Sequence, residues 1–177
     1  MQNNKKNKQT IIIFEGHDKS GKTTISNELS KKLDFPIFKQ KRNKKWWDPY
    51  IVSKYADELL LQFLEQTQYN IILDRCYPSQ YAYSILYNRE YDEKLLFNYD
   101  YRYSKLNTYI ILCYKNKHEY EKDDDIKDVS KYTEITKQLR LFLKKSKCHV
   151  LLLNTSDQQL NKQVSSILSF IHENRHI

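Results

Sequence analysis

The sequence predicts an α/β protein, with a parallel sheet of about five strands and helices on both of its faces. Short β-branched or apolar runs alternate with helix-period segments along the whole chain, and this alternation is typical of a parallel sheet with right-handed crossovers. The 177 residues suit one domain. We therefore expect a disordered basic tail at residues 1–9 and a single domain at residues 10–177.

The first third of the chain contains two predicted strands and a helix between them. Residues 10–15 form a β-branched run suited to a buried strand. A helix of about three turns begins at Lys22 and ends before Pro36, because apolar residues recur every four positions. Those residues are Ile25, Leu29 and Leu33. A short strand is expected at residues 36–39.

The second helix is expected to begin at Pro49, a residue that suits the first helical position. Its apolar residues repeat as adjacent pairs every four positions, which is typical of an amphipathic helix. The pairs are Ile51 and Val52, Tyr55 and Ala56, Leu59 and Leu60, and Phe63 and Leu64.

The rest of the chain continues the alternation. Strands are predicted at residues 70–74, 108–114 and 149–154, with one or two helices at residues 78–105. Two further helices are marked by apolar positions at helical spacing. The first set is Val129, Tyr132, Ile135, Leu139 and Phe142, and the second is Leu160, Val164, Ile167, Leu168 and Ile171. The charged segment 115–128 shows no periodicity.

Composition limits the classes of function. The net charge is +8, and 29% of the residues are charged. The longest apolar runs are far shorter than the roughly 20 residues that span a bilayer, so we expect no membrane partner.

Three isolated cysteines show no disulfide or zinc spacing, and a reducing, cytoplasmic environment is expected. The lysines are spread along the chain, which makes nucleic acid an unlikely main partner.

The two glycines of the chain, Gly16 and Gly21, lie in one motif. The motif fits G-x-x-x-x-G-K-[ST] and follows a predicted strand and precedes a predicted helix, as a phosphate-binding loop requires. In such a loop the lysine, here Lys22, reaches the phosphates of ATP, and the hydroxyl of Thr23 is a ligand of Mg²⁺. The predicted ATP-binding residues are Gly16, His17, Asp18, Lys19, Ser20, Gly21, Lys22, Thr23 and Thr24.

A second candidate site lies at the end of the strand 70–74. Asp74 follows an apolar run, at the edge where α/β sheets bind ligands. It is a candidate ligand of Mg²⁺ or of its water, and Arg75 is a candidate phosphate ligand. The alternative is that the two residues cap the following helix or pair with each other.

These residues resemble the thymidylate kinase family of P-loop nucleoside monophosphate kinases. The segment from Phe14 to Thr24 is similar to the family's F-E-G-x-D-x-S-G-K-T-T signature, and Asp74, Arg75, Ser79 and Tyr83 fall in its D-R-Y-x-x-S-x-x-A-Y segment. The resemblance implies a three-layer P-loop kinase fold and a homodimer formed through helices.

The resemblance also implies roles for individual residues. Asp18 would bond the 3′-hydroxyl of the acceptor sugar, and Arg75 would contact the acceptor phosphate. Tyr83 would pack where a 2′-hydroxyl would lie, which favours deoxyribose. Counting back from Asp74 places Tyr50 at the base-stacking position and Lys54 at the base-reading position.

The chain also departs from the family pattern. Cys76 replaces the tyrosine of the D-R-Y segment. The family uses an arginine in this segment to bind the acceptor phosphate. Here that role would fall to Arg42, or to Lys39 or Lys41. Residues 115–128, at the place of the short lid, contain no arginine. Catalysis would then depend more on Lys19, which stands where many members have arginine.

The sequence therefore predicts a kinase that transfers the γ-phosphoryl group of ATP to a pyrimidine deoxynucleoside monophosphate, above all dTMP. A deoxynucleoside kinase is one alternative, and it needs a carboxylate base near the end of the second strand. Residues 38–47 contain no acid, and Asp48 comes late. A non-catalytic nucleotide- or nucleic-acid-binding protein is the other alternative.

Overall fold

The computed structural model describes residues 9–40, 48–116, 119, 128–156 and 159–175. Arg42, the tail before Gln9 and most of the predicted lid lie outside this part of the chain. Gln9, which the sequence places in the tail, is anchored, because its side-chain amide donates to the backbone oxygens of Leu64 and Tyr69 at 3.0 and 3.1 Å.

The sheet has five strands in the order β2-β3-β1-β4-β5, and every neighbouring pair is parallel. This arrangement confirms the predicted fold class. The strands are β1 (Ile11–Glu15), β2 (Ile37–Phe38), β3 (Ile71–Asp74), β4 (Thr108–Tyr114) and β5 (His149–Asn154). The central strand β1 has β3 on one side and β4 on the other, so three strand ends meet around the loop that follows β1.

The helices connect successive strands, as a parallel sheet requires. They are α1 (Lys22–Leu33), α2 (Pro49–Ile51), α3 (Asp57–Gln66), α4 (Tyr77–Leu86), α5 (Glu93–Ser104), α6 (Ser130–Leu143) and α7 (Leu160–Glu173). A π-helical turn, Val52–Ala56, joins α2 to α3. Among the described residues, no helix is long and apolar enough to cross a membrane.

The core has two layers, one on each face of the sheet. Alternate residues of β1 point to opposite faces, so that Ile11 and Ile13 belong to one layer and Ile12 and Phe14 to the other. The first layer is completed by apolar residues of α3, α4, α5 and α6. The second is completed by α1 and α7. The prediction of helices on both faces is therefore confirmed.

The helical segment after Pro49 differs from its simple amphipathic pattern. The first member of every apolar pair is exposed, with 49% of Ile51, 54% of Tyr55, 66% of Leu59 and 49% of Phe63 accessible. The buried face of α3 keeps Leu64 from the predicted pairs and adds Asp57 and Leu61, which lie outside them. A π-helical turn accommodates one extra residue, and it rotates the following helix so that the buried face moves by about one position.

Candidate functional site

The loop between β1 and α1 requires both glycines, for different reasons. Gly16 adopts a φ of 138°, and a Cβ at this position would lie 2.1 Å from the backbone oxygen of Cys113. Gly21 adopts a φ of 83°, while a Cβ there would meet only Thr155 at 3.5 Å or more. At Gly16, a larger residue would clash with the Cys113 backbone and would also have to adopt an unfavourable positive φ. At Gly21, only the positive φ disfavours a larger residue. Lys19 also has a positive φ, of 59°.

The side chain of Lys22 lies folded against the loop. Its Nζ donates to the backbone oxygens of Gly16 at 3.0 Å and His17 at 2.6 Å, and to Ser20 Oγ at 3.3 Å. Burial and the nearby Arg75 guanidinium lower the pKa of Lys22 to about 7. An anion bound in the loop would raise the pKa of Lys22 again and stabilise its protonated form. The loop is therefore suited to binding phosphate.

Arg75 connects the end of β3 to the loop after β1. Its guanidinium donates to Gly16 O at 2.7 Å, to Ser79 Oγ at 3.2 Å and to Asp18 Oδ1 at 2.6 Å. Tyr83 completes the group, since its hydroxyl donates to Asp18 Oδ2 at 3.2 Å. Arg75 adopts a positive φ of 71°, a strained conformation of the kind found at functional sites.

The charge of Asp18 is maintained by its neighbours. Burial would raise the pKa of this carboxyl, but the positive charges of Arg75 and Lys22 outweigh burial, and the pKa is lowered. Asp18 is therefore a carboxylate at neutral pH, with both oxygens accepting hydrogen bonds. A hydroxyl group of a bound molecule could donate to the same oxygens.

Glu15 fixes the segment that carries Arg75 and Ser79. This carboxylate is fully buried at the end of β1. It accepts the backbone N–H of Cys76 at 2.9 Å, the backbone N–H of Ser79 at 3.3 Å and the hydroxyl of Ser79. The start of α4 is thereby bound to the central strand, and the guanidinium of Arg75 keeps its place over the loop.

Asp74 and Lys39 form an ion pair at the neighbouring strand ends, with 2.8 Å between Lys39 Nζ and Asp74 Oδ2. Both residues line a cavity of about 330 Å³ that opens above the loop. Five cationic side chains and two carboxylates face this cavity, which gives it a net positive charge suited to phosphate groups. The lining residues are Asp18, Lys19, Ser20, Gly21, Lys22, Thr23, Thr24, Lys39, Asp74, Arg75 and Lys115.

The cavity also offers oxygen ligands for a divalent cation. The hydroxyl-bearing Thr23 and the carboxylate of Asp74 line it together. Mg²⁺ is commonly held by one or two protein oxygens together with substrate phosphates and water, so this donor set fits Mg²⁺ bound with a nucleotide. Within the described ranges, no group of three or more His, Cys, Asp or Glu side chains forms a metal site.

His17 packs the loop against α6. Its ring stacks on that of Tyr132 in α6, with 4.7 Å between the centroids. Burial lowers the pKa of His17 to about 4, so the imidazole is neutral at physiological pH. His17 therefore supports the loop by packing rather than by charge.

The structure brings some predicted acceptor residues together and leaves others apart. Tyr50 and Lys54 are neighbours, since Lys54 Nζ lies 5.8 Å from the centre of the Tyr50 ring. Tyr50 lines a small separate pocket together with Gln80 and Ser84 of α4. Neither Tyr50 nor Lys54 lines the phosphate cavity. Arg42 lies outside the described residues.

Three residues contribute to the site in ways that the sequence alone does not indicate. Lys39, a candidate ligand of the acceptor phosphate, forms an ion pair with Asp74. Lys115, the first residue of the predicted lid segment, lines the cavity at the end of β4. Glu15 received no role, although a carboxylate at the last position of a buried apolar strand is a signal that it has polar partners.

Asp57 is a buried carboxyl near the end of β2, outside the site. It is 3% exposed, and its Oδ1 accepts a hydrogen bond from Gln40 Nε2 at 2.8 Å. Burial raises the pKa of Asp57 to about 7, and the nearby Glu15 carboxylate adds to the shift. Asp57 does not line the cavity, and its hydrogen bond holds the segment after β2 against α3.

The pKa of Asp57 predicts a dependence of stability on pH. The folded protein holds this proton more tightly than the unfolded chain, so stability falls as the pH rises from the ordinary aspartate pKa of 3.8 through about 7. The Asp57→Asn variant lacks this titrating group. Its free energy of unfolding, relative to that of the wild type, should therefore rise by about 2 kcal/mol from pH 5 to pH 8. Urea unfolding at both pH values measures the difference. The exposed carboxylate variant Asp34→Asn is the control, and an equal pH response in Asp57→Asn and the wild type would contradict the assignment.

The sheet order, the glycine loop and the cavity at the strand ends define the fold of the P-loop kinases. Among solved structures, the chain is similar to the YorR protein of Bacillus subtilis, solved in complex with phosphorylated GDP. The TM-score is 0.69 and the identity 17%, over 94% of this chain and 98% of that chain.

Two further structures show the same fold. Thymidylate kinase from Ehrlichia chaffeensis has a TM-score of 0.60 and 16% identity, over 93% of this chain and 98% of that chain. Deoxyadenosine kinase from M. mycoides, solved with dCMP and dCDP, has a TM-score of 0.58 and 17% identity, over 92% and 99%. No protein-family model and no curated protein matches the sequence. At these identities, the likeness establishes the fold, and the chemistry depends on the site.

Proposed function

We propose that the protein is a nucleoside monophosphate kinase that transfers the γ-phosphoryl group of Mg-ATP to a pyrimidine deoxynucleoside monophosphate, above all dTMP. The observation that carries the proposal is the cavity above the glycine loop, where five cations face two carboxylates. Two phosphorylated substrates bring several negative charges together, and a cationic cavity offsets their repulsion. Lys22 binds the phosphates of ATP, and Thr23 and Asp74 would hold Mg²⁺.

The group formed by Asp18, Arg75 and Tyr83 supports a deoxynucleotide acceptor. Arg75 has a planar guanidinium that suits a phosphate group, and it lies against the Asp18 carboxylate. The hydroxyl of Tyr83 fills the space next to Asp18, so a sugar that bonds Asp18 would meet the Tyr83 ring at its neighbouring carbon. This arrangement favours a sugar without a 2′-hydroxyl.

A deoxynucleoside kinase is the second candidate, and Asp57 is the observation that favours it. A nucleoside 5′-hydroxyl must lose a proton to a base, and the Asp57 carboxyl has its pKa raised to about 7 near the end of β2. However, Asp57 is buried away from the cavity. Asp48 is also engaged, because its Oδ1 accepts the backbone N–H groups of Tyr50 and Ile51 at 2.9 and 3.1 Å.

An acceptor screen separates these functions. ADP release from Mg-ATP is measured with dTMP, dUMP, dCMP, dAMP, dGMP, thymidine and deoxyadenosine. Stimulation by a pyrimidine deoxynucleoside monophosphate supports the proposal, whereas stimulation by nucleosides alone supports the second candidate. No stimulation by any acceptor, together with salt-dependent retention on DNA, would indicate a non-catalytic binding protein.

The proposal assigns the transition-state cation to Lys19. Charge develops on the transferring phosphoryl group as its bond to ADP breaks. A cation from the loop therefore stabilises the transition state more than it stabilises bound ATP. Lys19→Met should lower turnover about 100-fold or more and leave ATP affinity within a few-fold. Lys19→Arg keeps the charge and should retain much of the activity. Normal turnover in Lys19→Met, with loss of turnover in Lys117→Met or Lys122→Met, would move the cation to the lid segment.

A homodimer completes the proposal. Ile51, Tyr55, Leu59 and Phe63 form an exposed apolar row on the helical segment after Pro49, and such a row is suited to a two-fold contact. The wild type should scatter light as a dimer at tens of micromolar, and the double variant Leu59→Glu with Phe63→Glu as a monomer. Leu141→Glu changes an exposed apolar residue of α6 and should leave the dimer intact. A monomeric wild type would contradict the prediction.

A further inference from the structure

The ion pair of Lys39 with Asp74 is uneven in its exposure. The side chain of Asp74 is 5% exposed, whereas that of Lys39 is 63% exposed. β2 and β3 are hydrogen-bonded neighbours, so the pair joins the ends of two adjacent strands. The carboxylate is thus fixed by burial, while the lysine side chain has room to leave it.

The same carboxylate is the one that fits a divalent cation. An ammonium group 2.8 Å from Asp74 Oδ2 and a divalent cation on the same carboxylate would repel each other strongly, since like charges a few ångströms apart interact unfavourably even in a partly solvated site. The two cations therefore compete for Asp74. Lys39 also lines the cavity of Lys19, Lys22 and Arg75, where nucleotide phosphates would offer its ammonium group another partner.

We propose that Lys39 is an exchangeable counter-ion of Asp74 that makes divalent-cation binding depend on nucleotide. Without nucleotide, the Lys39 ammonium neutralises Asp74 and free divalent cations bind weakly. With nucleotide, the phosphates attract the ammonium group, and the Asp74 carboxylate becomes available to the cation. This inference rests on the proposed function, because it takes Asp74 as a ligand of the nucleotide-bound metal.

Binding of Mn²⁺, followed by the electron paramagnetic resonance signal of the free ion, tests the inference without turnover. In the absence of nucleotide, Lys39→Met should bind Mn²⁺ about tenfold more tightly than the wild type, because the competing charge is gone. With saturating ADP, and after subtraction of the Mn²⁺ that ADP binds in a protein-free titration, the two proteins should agree within about threefold, since the ammonium no longer occupies Asp74. Lys39 is largely exposed, so its substitution should leave the fold intact.

Lys115→Met is the matched control. It removes a positive charge from the same cavity, and no ion pair joins Lys115 to Asp74 in the part of the chain that the structure describes. Its Mn²⁺ affinity should change by less than about threefold. Adding Asp74→Asn to Lys39→Met should abolish the gain in affinity, because the two residues act as a pair.

Two results would overturn the inference. One is an equal Mn²⁺ affinity of wild type and Lys39→Met without nucleotide, and the other is an equal gain in Lys115→Met and Lys39→Met. In both cases the wild type would still bind Mn²⁺ in the presence of ADP, and the proposed function would stand. Failure of the wild type to bind Mn²⁺ with ADP would instead overturn the proposed function and this inference with it.

Discussion

Lys22→Ala should lower turnover by about 10³-fold or more, because it removes a positioned cation from a phosphoryl-transfer site. The same change removes three hydrogen bonds that hold the loop carbonyls and Ser20. It also removes an ammonium group whose burial is unfavourable, as its lowered pKa indicates. We therefore expect the loss in stability to be small in comparison with the loss in turnover. Steady-state kinetics and thermal unfolding measure the two effects separately.

Lys137→Ala is the control for this variant. Lys137 lies on the surface of α6, 3.4 Å from Glu134, and surface pairs of this kind contribute at most about 1 kcal/mol. Its turnover and melting temperature should be those of the wild type. A Lys22→Ala protein that fails to fold would show that Lys22 is primarily a structural residue of the loop.

Arg75→Met should impair both stability and catalysis. The guanidinium is the cation of the Asp18 carboxylate and lies close enough to Glu15 to oppose the effect of burial on its pKa. The pair is only partly buried, with 17% of the Arg75 side chain and 36% of the Asp18 side chain exposed. We therefore expect the free energy of unfolding to fall by about 1.5–3 kcal/mol, the range for hydrogen bonds to charged groups, which is less than the loss for a fully buried pair. Turnover with a monophosphate acceptor should fall by about 10³-fold, because the acceptor phosphate loses its ligand. Urea unfolding and steady-state kinetics measure the two quantities.

Arg102→Met separates stability from chemistry. Arg102 of α5 also forms two ion pairs, with Glu58 and Glu65 of α3 at 2.7 Å each, but it does not line the cavity. This variant should lose stability and keep turnover within a few-fold of the wild type. If Arg75→Met behaved in the same way, Arg75 would have a structural role and no part in binding the acceptor.

The parts of the site that depend on local spacing could be predicted from the sequence. The glycine loop is defined by residues within one short segment, and the two glycines stand out in a chain that has no others. The structure shows why each is needed, because both adopt a positive φ. The strands were equally accessible to prediction, since each is a short apolar run between polar segments.

The parts that depend on contacts between distant segments could not be predicted. The pairing of Lys39 with Asp74 joins the ends of two strands, and only the sheet order makes them neighbours. The burial of Asp57 and Leu61 in α3 could not be predicted either, because a π-helical turn in Val52–Ala56 leaves no clear mark in a pattern of apolar residues. The burial of Asp57 follows from that same rotation.

The position of the transferred phosphoryl group tests the central claim most directly. The protein is incubated with ATP labelled in its γ-phosphoryl group, Mg²⁺ and dTMP, and the product is identified by chromatography and ³¹P NMR. We predict that the label appears as the β-phosphoryl group of dTDP, with one ADP formed for each diphosphate. Label found only in a nucleoside monophosphate, formed when thymidine or deoxyadenosine replaces dTMP, would contradict the claim that the acceptor is a monophosphate.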